Sequence, residues 1–336
     1  MASSTVTNST IQWNDLVKLS PMVWAQGAQV ALEEVRQVME LYDEEQLDQF
    51  YRDYSYIARS GFSNKIDEAA DYPLLNNNQG DTMSMQVRKR GKAFTITEDL
   101  MDGNKYRDIR LGLEDLGGTL FRGLALDETH QLLTFAFSTS YTDRDGKSVN
   151  IGIAKGSTEA LYAATHTMTA GNTFSNTQQN ALNEPDLRSE EDLTVSFTDQ
   201  NGIPVSWLTV SSGILATTTD RTNVHAATRL VSPLQEWQQD TGNRNINVYK
   251  GMYRHVPLHY GHTLASGTRD STKAKYHAIW DERYLKDAAL FANFMRPTPR
   301  GPFEDHHNGG MLWRSKSWYD IGILYAHIGV GNNSAT

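Results

Sequence analysis

The segment KAFTITEDLMDGNKYRDIRLGLEDLGGTLFRGLALDETHQLL, residues 92–133, changes from the alternating polarity of a strand to the spacing of a helix. After the residues EDLMDGN, apolar side chains recur at steps of four, three, four and four residues: Ile109, Leu113, Leu116, Leu120 and Leu124. This spacing puts them on one face of a helix. The sequence therefore predicts a strand that ends near residue 97 and a long amphipathic helix over residues 105–135.

Four glycines lie inside this predicted helix: Gly112, Gly117, Gly118 and Gly123. In a helix interior each glycine costs about 1 kcal/mol relative to alanine. Such a cost is unusual unless another segment needs the space that a side chain would fill. The glycines therefore predict that something packs very close to the backbone of this helix.

A basic cluster, Arg88, Lys89, Arg90 and Lys92, directly precedes the helix segment in a chain of net charge −9. Cations on an exposed edge strand discourage unwanted pairing, but that explains one or two charges more easily than four. A nucleic-acid groove would be accompanied by aromatic residues, and Phe94 is the only one nearby. The third interpretation is docking on an acidic surface of another copy of the chain.

The acidic partner for such docking is available near the start of the sequence. The first 50 residues contain eight acidic and two basic residues, so much of the excess negative charge lies there. On this third interpretation, contacts between subunits would join the basic cluster to Glu33, Glu34, Glu44 and Glu45.

Residues 59–97 are predicted to form a long β-hairpin, with a descending arm over 59–75, a tip over 76–81 and an ascending arm over 82–97. On the ascending arm, Met83, Met85 and Val87 alternate with polar residues. Each arm would reach about 40–50 Å at roughly 3.3 Å per residue. Because an isolated two-stranded arm is marginally stable in water, it is expected to lie on another surface.

Other patterns indicate an α+β chain. Residues 22–50 are predicted to be helical, with an apolar stripe that is not expected to pack on a local partner. A short helix is predicted over residues 157–170. Strands are predicted within residues 205–216, 245–258 and 310–330, and another within KAKYHAIWDERYL.

Composition excludes several classes of protein. The chain of 336 residues has no cysteine, which rules out disulfides, thiolate metal sites and a cysteine nucleophile. No apolar run approaches the roughly 18 residues that a membrane-spanning helix needs. The first 20 residues lack a basic leader and an apolar core, so no signal peptide is predicted and synthesis in the cytoplasm is expected.

Histidines and acids are grouped twice, but neither group predicts a metal site. His255, His259 and His262 have helical spacing, yet Pro257 would break the helix. Glu304, Asp305, His306 and His307 are adjacent in a run that ends in glycines, which is typical of a solvated loop.

The remaining acidic motifs also have simple interpretations. Asp143–Gly146 resembles the start of a calcium loop without its later glutamate, so it is predicted to be a turn. Glu190 and Glu191 are interpreted as surface charge. No phosphate-binding loop or nucleophile elbow is present. The sequence therefore predicts no catalytic, cofactor or metal site, and no enzyme.

The order of these elements resembles the major capsid protein of tailed bacteriophages, which has the Hong Kong 97-type fold. The resemblance rests chiefly on residues 92–133, where TITEDLMD looks like the end of an extended loop and the helix runs into ALDE. VSWLTVSSGILATTTDRTNVHAATRLV looks like a strand followed by an axial-domain helix. NVYKGMYRHVPL, YHAIWDERYL and WRSKSWYDIGILYAHIGV look like the later strands.

The resemblance implies an α+β, Hong Kong 97-like fold with a set division of the chain. Residues 1–45 would be the N-terminal arm and 153–305 the axial domain. Residues 46–152 and 306–336 would form the peripheral domain, which includes the extended loop, 59–98, and the spine helix, 105–135.

The resemblance also implies a function. The chain would assemble with many copies of itself, as hexamers and pentamers, into an icosahedral shell around double-stranded DNA, without sequence-specific binding. Portal and scaffolding proteins would be partners, with or without cement proteins. The chain would be located in the virion, and no membrane or cofactor would be involved. A separate scaffolding protein is expected.

Two alternatives remain open at this stage. An encapsulin-like nanocompartment shares the fold but encloses protein cargo. A metal-dependent enzyme would bind its metal at His306 and His307 and form a small oligomer.

Overall fold

The computed structural model describes most of the chain, namely residues 7–57, 79–97, 99, 103, 106–205, 213–231, 249, 251–305 and 310–334.

Helices flank the sheets in the described part of the chain. They are α1 (Thr7–Met39), α2 (Tyr106–Thr129), α3 (Glu184–Thr194), α4 (Arg221–Val231) and α5 (Glu282–Ala288). A π-helical turn, His130–Thr134, continues α2, so the long helix predicted over residues 105–135 is confirmed. Among the described helices, none is both long enough and apolar enough to span a membrane.

The strands of the described residues come mostly in runs between these helices, as expected of an α+β chain. They are β1 (Asp43–Gln46), β2 (Tyr51–Ile57), β3 (Gln79–Gln86), β4 (Arg88–Ile96), β5 (Ser140–Thr142), β6 (Ser148–Asn150), β7 (His166–Thr167), β8 (Thr173–Phe174), β9 (Thr177–Gln178), β10 (Gly213–Thr218), β11 (Tyr253–Leu258), β12 (His277–Asp281), β13 (Ala289–Asp305), β14 (Gly310–Ile323) and β15 (Gly329–Asn332).

Two larger sheets organise these strands. One has four strands in the order β1-β13-β14-β4, and the other has five in the order β11-β10-β12-β15-β9. The strands β2–β3, β5–β6 and β7–β8 form separate two-stranded ladders. The strands predicted within residues 205–216, 245–258 and 310–330 and near His277 are thus confirmed where the structure describes them.

Helix α2 carries its predicted apolar face into the core. All five residues of the stripe are buried: Ile109, Leu113, Leu116, Leu120 and Leu124. The prediction from its glycines is also confirmed. A Cβ on Gly117 would collide with the backbone of Trp24 and Ala28, and a Cβ on Gly27 would collide with the backbone of Glu114. Helices α1 and α2 therefore meet backbone to backbone.

The expectation that the first helix has no local partner was wrong. The helix predicted over residues 22–50 ends at Met39, ahead of β1. Val35 and Val38 of α1 are buried, while Val30 is 55% exposed. Val38 belongs to the main core together with Leu41 and Tyr42, which follow the helix. Close approach of the two helix backbones gives α1 an apolar partner that the sequence alone did not reveal.

The prediction of a long hairpin without a core was wrong for the half that the structure describes. Strand β3 pairs with β2, whereas β4 pairs with β14, so the ascending arm divides between two sheets. Met83 and Met85 are fully buried in the main core. The alternation was correct, but the subunit itself covers this apolar face. The descending arm and the first half of the predicted tip, residues 76–78, lie outside the described residues.

Between residues 157 and 170 the predicted helix was also wrong. The segment is extended and irregular there, ending in the short strand β7. The Tyr162 hydroxyl donates to the Leu132 carbonyl at 3.0 Å and accepts from the Trp280 indole N–H at 2.6 Å. These buried contacts hold the segment across the core and override its local preference for helix.

Substituting alanine at two helical glycines tests the backbone contact. Gly117→Ala is expected to lower the free energy of unfolding by about 1–3 kcal/mol, because its Cβ meets rigid backbone. Gly123→Ala is the matched control, since its Cβ would meet only the guanidinium end of Arg144 at 3.2 Å. The control should gain up to about 1 kcal/mol from helix propensity. Urea unfolding measures both, and equal effects would contradict the backbone contact.

Candidate assembly surfaces

Strand β4 carries the basic cluster along the edge of the four-stranded sheet. Its Arg88, Lys89 and Lys92 are exposed, whereas Arg90 is half-buried with 22% of its side chain accessible. The cluster is therefore not one uniform surface.

Arg90 binds three carboxylates of its own subunit. Its guanidinium nitrogens lie 3.3 Å from Asp145, 3.6 Å from Asp127 and 3.8 Å from Asp143. Asp127, on α2, also pairs with Arg144 at 3.3 Å and accepts a hydrogen bond of 2.8 Å from the Tyr319 hydroxyl. These ion pairs connect β4 and the turn between β5 and β6 to α2.

The pKa of Asp127 follows from its burial and from the charges beside it. Burial raises the pKa of the Asp127 carboxyl, and the neighbouring guanidinium groups of Arg144 and Arg90 oppose that shift without cancelling it. A buried carboxylate is costly unless it is paired, so the two arginines are structural partners of Asp127.

Arg88, Lys89 and Lys92 have no such partner in the described part of the chain, where no carboxylate forms an ion pair with them. We call these three residues the basic row. They keep their charges available for a contact outside the subunit, whereas Arg90 does not.

Three of the four predicted acidic partners are also engaged within the subunit. Glu34 pairs with Arg122 at 3.3 Å, and Glu44 binds Arg296 through two contacts of 3.0 and 2.7 Å. Glu45 pairs with Arg52 and accepts a hydrogen bond of 2.7 Å from Tyr54. Glu33 is exposed, and its only described contact is a 3.5 Å hydrogen bond from Gln29.

Two clefts accompany these charges. The first, of about 600 Å³, lies between β4, α2 and the β5–β6 turn. Cations dominate its charged lining, which consists of Arg88, Lys89, Arg90, Lys92, Arg144 and Lys147 with Asp143 and Asp145.

The second, of about 570 Å³, lies between α1 and α2, and we call it the helix groove. Its walls include Val30 and Leu111, which are 55% and 51% exposed. The charged groups in its lining are mainly acidic: Glu33, Glu114 and Asp115 with Arg122. The groove thus combines two exposed apolar side chains with a mainly acidic lining.

The histidines that were weighed as metal ligands do not converge. His255 lies on β11, where its Nε2 is 2.9 Å from the Thr217 hydroxyl, and burial lowers its pKa. In the described part of the chain, no group of three or more His, Asp or Glu side chains could hold a metal ion. His306 and His307 lie outside the described residues.

Asp143–Gly146 forms the predicted turn. The Asp143 carboxylate accepts hydrogen bonds from the backbone N–H groups of Asp145 at 3.0 Å and Lys147 at 2.8 Å. Gly146 has a φ of +75°, which favours glycine.

The interpretation of Glu190 as surface charge was wrong. Helix α3, which was not predicted, begins after Asn183 and buries Glu190 completely. There the carboxylate accepts hydrogen bonds from His277 Nε2 at 2.9 Å and from the Asn332 amide at 2.8 Å. The signal that could have found α3 was Asn183 as N-cap with Pro185 in the first turn.

This pair holds a proton. His277 Nδ1 lies 3.2 Å from the Lys275 carbonyl oxygen, which can only accept, so Nδ1 donates a hydrogen bond there. The other ring nitrogen, Nε2, faces the Glu190 carboxylate, and the proton shared by the pair lies between them. Burial alone would lower the pKa of His277, but the Glu190 carboxylate raises it, and the net shift is upward. Glu190, His277 and Asn332 have no exposed surface, so they are not accessible to a substrate. Their hydrogen bonds join α3 to the five-stranded sheet.

Solved structures that superimpose on this chain include phage structures. The capsid of Ralstonia phage GP4 superimposes with a TM-score of 0.52 at 11% identity, covering 87% of this chain and 85% of that chain. The structure of Gordonia phage Cozz gives a TM-score of 0.50 at 10% identity, covering 89% and 86%. No protein-family model and no curated protein matches the sequence. The chain thus has the Hong Kong 97-type α+β fold that the sequence resemblance implied.

Removing the charge of Arg90 tests its structural role. Arg90→Gln leaves Asp127 and Asp143 without this partner and is expected to cost roughly 1–3 kcal/mol of unfolding free energy. Arg88→Gln is the control and should change it by less than about 0.5 kcal/mol. Thermal and urea unfolding of both variants check this, and similar losses would contradict the assignment.

The proton on the Glu190–His277 pair predicts a pH dependence. Because the folded-state pKa of His277 is raised, its stabilisation is complete below its unfolded value of about 6.5 and is lost as pH rises through the folded value. The difference in unfolding free energy between the wild type and His277→Gln should therefore shrink at alkaline pH, by up to about 1.4 kcal/mol per unit. Urea unfolding from neutral to alkaline pH measures it. A difference independent of pH would contradict the shared proton.

Proposed function

We propose that this chain is a major capsid protein, which assembles into the icosahedral shell that encloses the genome of a tailed double-stranded DNA phage. The observation that carries the proposal is the match of the fold, over 87% of this chain, to the capsid of Ralstonia phage GP4. The proposal gives the chain a structural role in the virion and no catalytic one.

The division into capsid domains is part of the proposal. Residues 1–45 would be the N-terminal arm, and residues 46–152 the first part of the peripheral domain. We move the end of the axial domain from residue 305 to residue 288. Strand β13 pairs with β14 along its length and with β1 near its start, in the four-stranded sheet that we assign to the peripheral domain.

Assembly from identical copies explains why the basic row and the helix groove are exposed in one subunit. The basic row has no carboxylate partner in the described part of its own subunit, and the helix groove exposes apolar side chains. A single exposed ion pair contributes only about 0–1 kcal/mol. Repetition of the contact around hexamers and pentamers, across a whole shell, makes weak contacts effective.

Other partners follow from the same role. A portal and a separate scaffolding protein would complete the particle, with or without a cement protein. The negative net charge of −9 supports a shell whose inner wall does not bind the enclosed DNA tightly.

Expression of the chain tests the proposal directly. The purified protein, alone or with a scaffolding protein from the same genome, is expected to form closed megadalton particles, which light scattering detects and electron microscopy images. A protein that stays a discrete dimer or tetramer under both conditions would overturn the proposal.

The content of native particles decides between capsid and nanocompartment. Particles from infected cells should protect double-stranded DNA from nuclease. Particles that contain a folded enzyme in place of DNA would overturn the capsid role while leaving shell formation intact.

A further inference from the structure

The basic row and the helix groove lie on different flanks of α2. At about 100° per residue, Gly112 and Gly123 point within roughly 20° of each other, while Gly117 and Gly118 point about 120–140° away from Gly112. Gly112 faces the ring of Phe94 on β4, and Gly123 faces Arg144. Gly117 and Gly118 face α1. The sheet with the basic row is therefore on one flank of α2 and α1 is on another. The groove residues Leu111 and Asp115 point between them, about 100° and 60° away from Gly112.

The groove has features that a row of cations would complement. Glu33 has no cation partner in the described part of the chain, and Asp115 is 65% exposed although it pairs with Arg122 at 3.1 Å. Between these acids, Val30 and Leu111 offer apolar surface. Lysine and arginine can cover such surface with their aliphatic stems while their charged ends reach the acids.

We propose that the basic row of one subunit docks on the helix groove of a second copy, in a head-to-tail contact. Because the two surfaces are different and lie on different flanks, the contact is heterologous, and it closes a ring when the rotation between copies permits. This inference rests on the proposed shell only in assuming that the occupant is another copy. It replaces Glu34, Glu44 and Glu45, which do not line the groove, with Asp115, which lines it beside Glu33.

A charge exchange tests the contact. The row variant carries Lys89→Glu and Lys92→Glu, and the groove variant carries Glu33→Lys and Asp115→Lys. Arg90 is left unchanged because its reversal would disrupt the Asp127 cluster. Each variant alone should form at least about tenfold less assembled particle than the wild type, a change that corresponds to about 1.4 kcal/mol. The variant with all four substitutions should recover assembly, because the exchanged side chains of the row and of the groove again carry opposite charges.

Mixing the two variants provides a readout that does not need shells. In a one-to-one mixture each row meets the other variant's groove with opposite charge, so mixed complexes should appear in sedimentation that neither variant forms alone. Alternation is possible in rings with an even number of subunits and impossible in pentamers, so the mixture should yield hexamer-sized rings or sheets and not closed shells.

Matched controls separate this contact from general charge effects. Arg221→Glu with Arg300→Glu, and Asp48→Lys with Asp192→Lys, make the same charge changes at exposed sites elsewhere and should assemble as the wild type does. Circular dichroism and thermal unfolding check that each variant folds. If Asp115→Lys disturbs folding, Glu33→Lys combined with Lys92→Glu retains the test with one substitution on each surface.

The outcomes distinguish the inference from the proposed function. A wild type that never forms shells, together with variants that combine in the mixture, would reject the capsid role and keep the contact. A wild type that assembles while the fourfold variant does not recover would overturn the contact. Loss of duplex DNA binding in the row variant with normal assembly would also overturn it and make the row a polyanion site.

Discussion

Direct contact between the backbones of α1 and α2 is the constraint on which the helical layer depends. Gly27 and Gly117 lack the Cβ atoms that would keep the helices apart, so backbone meets backbone. That approach brings Val23 of α1 into one cluster with Leu113 and Leu116 of α2. The same approach leaves Val30 and Leu111 on the outside of the helix pair, where they form the walls of the groove. A core contact thus shapes a surface.

Ionic interactions divide the charged residues into two sets. Buried or half-buried charges such as Asp127, Arg90 and Glu190 are paired inside the subunit, as the cost of burying an isolated charge requires. The basic row is exposed and has no described ion pair. Exposed charges contribute little to the stability of one subunit, so they can serve contacts between subunits without weakening the fold.

Fold and function rest on different observations. The fold follows from the superposition on phage structures and from the agreement of elements along the chain. The proposed function draws on the capsid among those structures and on the exposed basic row and helix groove. The Glu190–His277 pair, although it consists of an acid and an imidazole, belongs to the fold, because complete burial closes it to any ligand.

The sequence by itself determined α2, its buried face and the close approach at its glycines, because helical spacing and glycine content are local properties. It also determined the alternation of Met83 and Met85, but not what covers them. Only the tertiary structure decided that β3 and β4 join different sheets and that Arg90 binds Asp127 and Asp143. The partners in these contacts come from distant parts of the chain, and charge alone does not tell whether a cation meets an acid of its own subunit or remains free for another.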